Sequence, residues 1–240
     1  MTVWPGGYRK IEHDTLDSTN EEAKRLAAAG ETGPLWIAAA RQTAGRGRHG
    51  RSWESLSGNL TATLLLAPRR LQSEWPQLSF AAAIAAADMA AGFAPGGRIA
   101  LKWPNDVLMD GKKLAGILLE RAGPMLAIGI GVNLAHFPKG TEFPATSLAA
   151  VGVTPPTPDQ ALAALAAQFA KWYEVWRDQG FAPLRDAWLA RAAGLGQPIR
   201  ARLLHEERHG VFEGIDATGA LLLKEGTGTR AISAGEVFFG

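Results

Sequence analysis

The chain has 240 residues, 47% hydrophobic and 20% charged, the profile of an ordinary globular protein large enough for a sizeable core. Its 25 Lys and Arg against 23 Asp and Glu leave a formal charge of +2, too balanced to argue for nucleic-acid binding. The absence of cysteine excludes disulfides, thiolate nucleophiles and Cys-ligated zinc. The N-terminal MTVWPGGYRKIEHD lacks the apolar core of a signal peptide. The Ala-rich run from Phe80 to Ala91 is interrupted by Asp88 and falls short of the ~20 residues that span a bilayer. A cytoplasmic protein without membrane contact is expected.

Taken in chain order, Thr19-Asn20-Glu21-Glu22 fits a capping box with Thr19 as the cap, opening a helix that stops at Gly30. PLWIAAARQ predicts a buried strand, and NLTATLLLAP a second one halted by Pro68. Pro76 opens a helix through FAAAIAAADMAA to Gly92. RIALKWP, KLAGILLERAG and MLAIGIGVNL predict three more strands, with an Asp110-Gly111 turn joining the first two as a hairpin. Thr157-Pro158-Asp159-Gln160 is a capping box with Pro in the first helical position. The helix it opens runs to Gly180, and Leu162, Leu165, Phe169, Trp172 and Trp176 form a core-facing stripe. PLRDAWLARAAG predicts a shorter helix ending at Gly194.

Composition then changes. PIRARLL, GVFEGID, ALLLKEG and TRAISAGEVFF are short alternating runs separated by turn pairs such as Thr218-Gly219 and Glu225-Gly226. The pattern predicts an α+β domain over residues 1–194 followed by a small all-β barrel over 195–240.

Residues 41–53, RQTAGRGRHGRSW, carry the strongest chemical signal. Gly45, Gly47 and Gly50 let the backbone pass close to a ligand, while Arg46, Arg48 and Arg51 offer planar donor forks for carboxylate or phosphate. Three other patches share small, polar or cationic character: Asp17-Ser18-Thr19-Asn20, Lys102-Trp103-Pro104-Asn105-Asp106 with Lys112-Lys113, and Gly129-Ile130-Gly131-Val132-Asn133. Each has a plain alternative. Ser18-Thr19-Asn20 also reads as a helix cap, the glycine loop as a solvated basic loop, Lys112-Lys113 as an exposed turn pair and Asn133 as a turn residue. Gly45-x-Gly47-x-x-Gly50 is a poor Rossmann fingerprint, because RSWESLSGNL does not open a helix. His13, His49, His136, His205 and His209 form no metal-ligand pair, and no Ser-His-Asp set stands out. Without a protein nucleophile, direct transfer between positioned substrates is favoured.

In combination and order, DSTNEEA, RQTAGRGRHGRSW, LKWPNDVLMDGKKLAGILLE and GIGVNL resemble the bacterial biotin–protein ligases, the biotin–acetyl-CoA-carboxylase ligases. The resemblance runs over about residues 14–148, and GIDATGALLL with SAGEVFF extends it to that family's SH3-like barrel. It implies a mixed β-sheet with helices, the class II aminoacyl-tRNA synthetase-like fold of biotin and lipoate ligases, plus the barrel. It also implies two reactions. Biotin and ATP, entering with Mg²⁺, give biotinyl-5′-AMP and pyrophosphate. A lysine of a biotin carboxyl carrier protein, that of acetyl-CoA carboxylase or a similar enzyme, then takes the biotin.

Position by position, the resemblance places Ser18, Thr19 and Asn20 at the first biotin-contact motif and Gln42 at a second. Arg46, Gly47 and Arg48 match the core of the biotin-binding loop, with Trp53 as an apolar wall over the ligand. Lys113 matches the lysine that touches the biotin carboxylate and the phosphate, and Gly116 lets the ligand pass close to its strand. Lys113, Arg48, Asp106 and Lys102 are the candidate catalytic residues, with Asp106 as base or orienting group. Arg48, Arg51, Asn105 and Asn133 are the nucleotide-binding candidates. No dedicated metal ligand is assigned. Asn105 and Asp106 are the oxygen donors placed to meet the Mg²⁺ of ATP.

The chain departs from the common pattern at His49, where the family usually carries Arg. A neutral imidazole there would loosen retention of the adenylate. About 16 residues precede DSTN, too few for the three-helix DNA-binding domain of the family's repressor members, so a ligase without DNA binding is expected. Homodimerisation is left open. Two other readings remain on the residues alone: a ligase for lipoate or another acyl group, and a nucleic-acid-binding module built on the basic loop.

Overall fold

A computed structural model describes residues 3–226 and 228–239. In the larger part, β1 (Arg9–Leu16), α1 (Thr19–Ala28), β2 (Leu35–Gln42), β3 (Leu60–Leu66), α2 (Leu78–Phe93), β4 (Ile99–Lys102), β5 (Asp106–Met109), β6 (Lys112–Ala122) and β7 (Met125–Val132) follow one another. The strands form one mixed sheet in the order β1-β2-β3-β7-β6-β5-β4, with β1 and β2 parallel and the other pairs antiparallel. Two helices, α3 (Pro158–Gln179) and α4 (Ala182–Leu189), precede the smaller sheet. That sheet orders its strands β11-β10-β9-β8-β12: β8 (Pro198–Arg202), β9 (Glu207–Ile215), β10 (Leu221–Glu225), β11 (Gly228–Ile232) and β12 (Glu236–Phe239). Among the described residues no helix is long and apolar enough to cross a membrane.

Side chains alternate across a strand, and this assigns the two faces of the larger sheet. Trp36, Leu64, Leu66, Ile128 and Ile130 point to the face covered by α2 and α3. α2 is apolar on nearly all its surface because most of it is buried, Asp88 being its one charge and paired with Arg191 and Trp172, and Phe80 meets Phe181, Trp188 and the Gly219 turn. On the other face, Leu35, Ile37, Leu65, Met125 and Ala127 pack with Ala23 of α1. α1 is only ten residues long and covers one end of that face. Beyond its N-terminus the strands carry Gly116, Gly129 and Gly131, so the sheet is left with a recess rather than a second core layer.

The smaller sheet is not an independent body. Phe212, Ile215, Leu221 and Val237 belong to the same buried cluster as α2 and α4, with Phe212 edge-on to Trp188 at 6.3 Å. Trp103 Nε1 donates to Gly219 O at 3.0 Å, pinning the end of β4 to the β9–β10 turn.

Several elements differ from the sequence reading for identifiable reasons. β1 is absent from it, because RKIEHDTL is an edge strand with mixed exposure rather than an apolar run. The Asp110-Gly111 turn joins β5 to β6, not β4 to β6; β5 is a four-residue strand inside the KWPNDVLM segment. Pro76 lies within a 3₁₀ turn over Gln72–Gln77, and α2 begins at Leu78. α4 ends at Leu189, since Ala193 N and Arg191 O leave the helix to bond with Leu101 of β4. TRAISAGEVFF divides into β11 and β12. At α1 the cap is Ser18, not Thr19, and the capping box does not form: Glu22 pairs with Arg25 and the Thr19 hydroxyl is committed elsewhere.

Candidate active site

Register brings the sequence patches together. One row of cross-strand partners runs Thr61, Gly131, Gly116, Asp106 and Lys102 across β3, β7, β6, β5 and β4. The next row sets Thr63 beside Gly129 and Leu118. Cross-strand partners share a face, so the glycine pairs form the floor and the charged pair its far wall. Over this floor lies a cavity of about 550 Å³. Ser18, Thr19, Asn20, Gln42, Arg46, Gly47, Arg48, Arg51, Trp53, Lys102, Asn105, Asp106, Lys113, Gly116 and Asn133 all line it. His49 is exposed and outside this lining; its backbone is left-handed, with φ 55°.

The end under α1 is neutral and tightly bonded. Gln42 Oε1 accepts from Thr19 N at 2.8 Å and from the Thr19 hydroxyl at 3.0 Å. Thr63 Oγ1 lies 2.7 Å from Thr19 Oγ1 and 2.6 Å from Asn20 Oδ1. Asn20 Nδ2 donates to Glu120 Oε2 at 2.8 Å, and Lys24 Nζ reaches the same carboxylate at 2.7 Å. Burial pushes the Glu120 carboxyl up, but Lys24 and the Asn20 amide outweigh it and hold the group below its ordinary value. A methyl group on Gly129 would collide with Asn20 Oδ1, and one on Gly131 with the Trp53 indole. Trp53 thus rests directly on the glycine floor. Its Nε1 is buried without a hydrogen-bond partner among the described residues.

The opposite end is cationic. A bulge between Val107 and Leu108 on the β5–β6 pair shifts register around Leu114. It turns the Lys113 side chain onto the face of Gly116, although the two are three residues apart. Lys113 Nζ then sits 2.6 Å from Asp106 Oδ1, as an ion pair rather than an aligned hydrogen bond. Lys102 is 5% exposed, and burial pushes its ammonium down to about 8, with Asp106 opposing that shift and Lys113 adding to it. Asn105 Nδ2 donates to Ile117 O at 2.5 Å, while its Oδ1 accepts from Arg48 Nη1 at 3.4 Å.

The glycine-arginine loop closes over the site as a tight hairpin. Trp53 N donates to Gly45 O at 2.9 Å and Gly47 N to Arg51 O at 2.7 Å. Arg46 pairs with Glu21 of α1. The loop's other end is tied to the smaller sheet: Arg48 Nη1 donates to Gly235 O at 3.2 Å and Arg51 Nη2 to Glu236 Oε2 at 2.6 Å. Arg202 bridges Glu236 and Glu142 at 2.6 and 2.7 Å. Burial raises the Glu236 carboxyl, yet Arg202 and Arg51 prevail and hold it at about 2.

Several contributors escape a sequence reading. Asn59 is buried, and its Oδ1 accepts from the backbone N–H of Leu134, Ala135 and His136, each at 3.0 Å, fixing the turn after Asn133. Asn133 Nδ2 donates to Thr146 O at 3.0 Å, and its buried Oδ1 has no partner among the described residues. Thr63, Glu120, Phe143 and Glu236 likewise act on residues far away in sequence. Only the SGN and SAGE turns flanking Asn59 and Glu236 hint at them.

Comparison with known proteins places this geometry. The model of the biotin/lipoate A/B protein ligase family matches residues 13–134, and that of the biotin protein ligase C-terminal domain matches 194–240. The chain is 48% identical to a biotin–[acetyl-CoA-carboxylase] ligase of Paracoccus denitrificans, over 93% of this chain and 98% of that one. It is 34% identical to the bifunctional ligase/repressor BirA of Bacillus subtilis, over 98% of this chain and 75% of the relative. The structure of an Aquifex aeolicus biotin protein ligase in complex with biotin and ATP superposes with a TM-score of 0.85 at 26% identity, covering 96% of this chain and 97% of that one.

Proposed function

The chain belongs to the biotin/lipoate A/B protein ligase family and is a biotin ligase, and from that premise we propose how its cavity divides the work. The enzyme joins biotin to ATP as biotinyl-5′-AMP, then transfers biotin to a lysine of a biotin carboxyl carrier protein, that of acetyl-CoA carboxylase in the first instance. One observation carries the reading: a single cavity has a neutral, hydrogen-bonded floor at one end and converging cations at the other. A ureido ring suits the first and a carboxylate facing a triphosphate suits the second.

At the floor, Ser18 makes no capping bond, so its hydroxyl is available to the ring. Gln42 has committed Oε1 to Thr19 and has its amide NH₂ to offer. The Asn20 amide is engaged by Glu120 and Thr63, so its part is to hold those hydroxyls in place. Trp53 and Gly116 enclose the aliphatic chain of biotin, and Arg46 with Gly47 closes over it.

In the first step a carboxylate oxygen attacks the α-phosphorus, a C(O)–O–P bond forms, and the P–O bond to pyrophosphate breaks with its electron pair. Two anions must approach, so cations have to be in place beforehand. Lys113, Arg48 and Lys102 supply them, and Arg51, Asn105 and Asn133 hold the nucleotide, the Asn133 Oδ1 being an acceptor for a base amino group. No group of three His, Cys, Asp or Glu among the described residues could hold a metal ion. One carboxylate and one amide oxygen, Asp106 and Asn105, suit a Mg²⁺ that arrives on ATP and keeps phosphate and water ligands. In the second step the carrier lysine attacks the acyl carbon, AMP leaves, and Asp106 orients the amine and receives its proton. The loop keeps water from the anhydride meanwhile. We take residues 1–194 as the catalytic domain and 195–240 as the barrel domain, supported by the two separate sheets.

The test is mass spectrometry of a purified carrier domain incubated with the enzyme, ATP, Mg²⁺ and either biotin or lipoate. One biotinyl group on one lysine is expected. Lipoyl transfer at a comparable rate would overturn the assignment of substrate.

A further inference from the structure

Lys102 is the most enclosed cation of the cavity, and its ammonium faces two aromatic rings. Its Nζ lies 3.7 Å from the centroid of Phe143 and 5.3 Å from that of Phe238. Phe143 comes from the segment between β7 and α3, Phe238 from β12 of the smaller sheet. Neither ring is loose. Phe143 packs beside Phe239 at 6.3 Å, and the guanidinium carbons of Arg200 and Arg202 each lie 4.6 Å from the Phe238 centroid.

An ammonium removed from water needs a substitute for its hydration, and the negative face of an aromatic ring is one. The choice of substitute has a chemical consequence. A carboxylate would neutralise the charge and occupy the N–H donors. A ring does neither, so the cation keeps its charge and its donors for an incoming phosphate. The other charges around Lys102 are Asp106 and Glu236, which favour its protonated form, and Lys113 and Arg51, which oppose it. Lys113 already has Asp106 at 2.6 Å. The two lysines of the site are therefore held by different means, one by an anion and one by rings.

We propose that Phe143 and Phe238 form an aromatic seat for the Lys102 ammonium, and that both are positioning residues for biotin activation. Through Phe238, which like Phe143 also lines the cavity, the smaller sheet sets the place of a phosphate-facing cation. The role in activation rests on the biotin-ligase reading; the seat itself does not.

The experiment is a double-mutant cycle on single-turnover formation of biotinyl-adenylate, joined to NMR of the free enzyme. Phe143→Leu and Phe238→Leu should each slow adenylation by about tenfold, the scale of a desolvated cation–π contact. In a Lys102→Gln background each should cost less than about twofold, because the group they act through is gone. Phe143→Tyr, which keeps the ring, should restore the rate and guards against a folding artefact. Equal losses in both backgrounds would mean that the rings contact substrate or merely support the fold, and would overturn the proposal. In the wild-type enzyme the Lys102 ε-methylene protons should be shifted upfield by the rings and move downfield in either Leu variant. An unshifted resonance overturns the seat whatever the substrate is. Absence of biotin-dependent adenylate in the wild type would instead count against the function, and the NMR result would still decide the seat.

Discussion

At the floor of the cavity and just beneath it, Thr19, Asn20, Thr63 and Gln42 are neutral, mostly buried and bonded to one another, whereas at its rim Arg46, Arg51 and Lys113 are charged, partly exposed and each paired with a carboxylate. The contrast follows from what each must do. A buried polar network is costly to leave half-satisfied, so the floor is preformed and rigid. A partly exposed ion pair is worth little, so the rim cations can exchange Glu21, Glu236 or Asp106 for substrate anions at small cost. On the proposed function, recognition belongs to the floor and reactivity to the rim.

The largest effect should come from the rim. On the proposed mechanism Lys113→Ala removes the cation that meets both carboxylate and phosphate, and adenylate formation should fall by about a hundredfold or more. Its partner Asp106 is largely buried and would keep only Lys102 as a neighbouring cation, so the thermal unfolding midpoint should fall modestly while the fold is retained. Adenylation at the normal rate would remove Lys113 from the mechanism. Thr63→Val is the matching test of the floor. It leaves Asn20 Oδ1 and Thr19 Oγ1 without their shared partner, which should lower stability by about 1–3 kcal/mol in urea unfolding. The biotin KM should rise by about tenfold with the ATP KM unchanged. A parallel rise in both would erase the distinction between floor and rim.

Two smaller effects sharpen it. Burial holds Lys102 at about 8, so its charge is present at neutral pH and lost above that value. The adenylation rate should fall on the alkaline side with a midpoint near 8, and Lys102→Arg should move that limb upward. Stability should run the other way. Between about 8 and the unfolded value of about 10.5 the unfolded chain binds more protons, so Lys102 makes the fold more stable as pH rises. The smallest effect is expected for Arg51→Gln, which breaks an exposed pair with Glu236. A loss of about two- to fivefold in adenylate retention should shrink further as salt is added, because Arg51 holds the nucleotide from a partly exposed position; no loss at low salt would remove Arg51 from the nucleotide site.

The cationic loop is legible in the sequence because its glycines and arginines are contiguous and their spacing has few structural uses. The floor is harder to read. Thr63 looks like any β-branched strand residue, and nothing near it in the chain shows that β3 lies beside α1. Asn59, Glu120, Phe143 and Phe238 are silent for the same reason: their partners are brought to them by register and by docking of the smaller sheet. Thr19 shows the opposite hazard. A capping signal was locally reasonable, but the hydroxyl bonds Gln42 and the cap passes to Ser18. The edge strand β1 and the four-residue β5 carry too weak a hydrophobic pattern to be seen, although β5 is where Asp106 enters the site.

The most direct test of the account is ATP–pyrophosphate exchange by the purified enzyme, measured with biotin and with lipoate as the acid. Exchange that requires biotin and is not supported by lipoate is the expected result. Exchange supported equally by lipoate, or none with biotin, would contradict it.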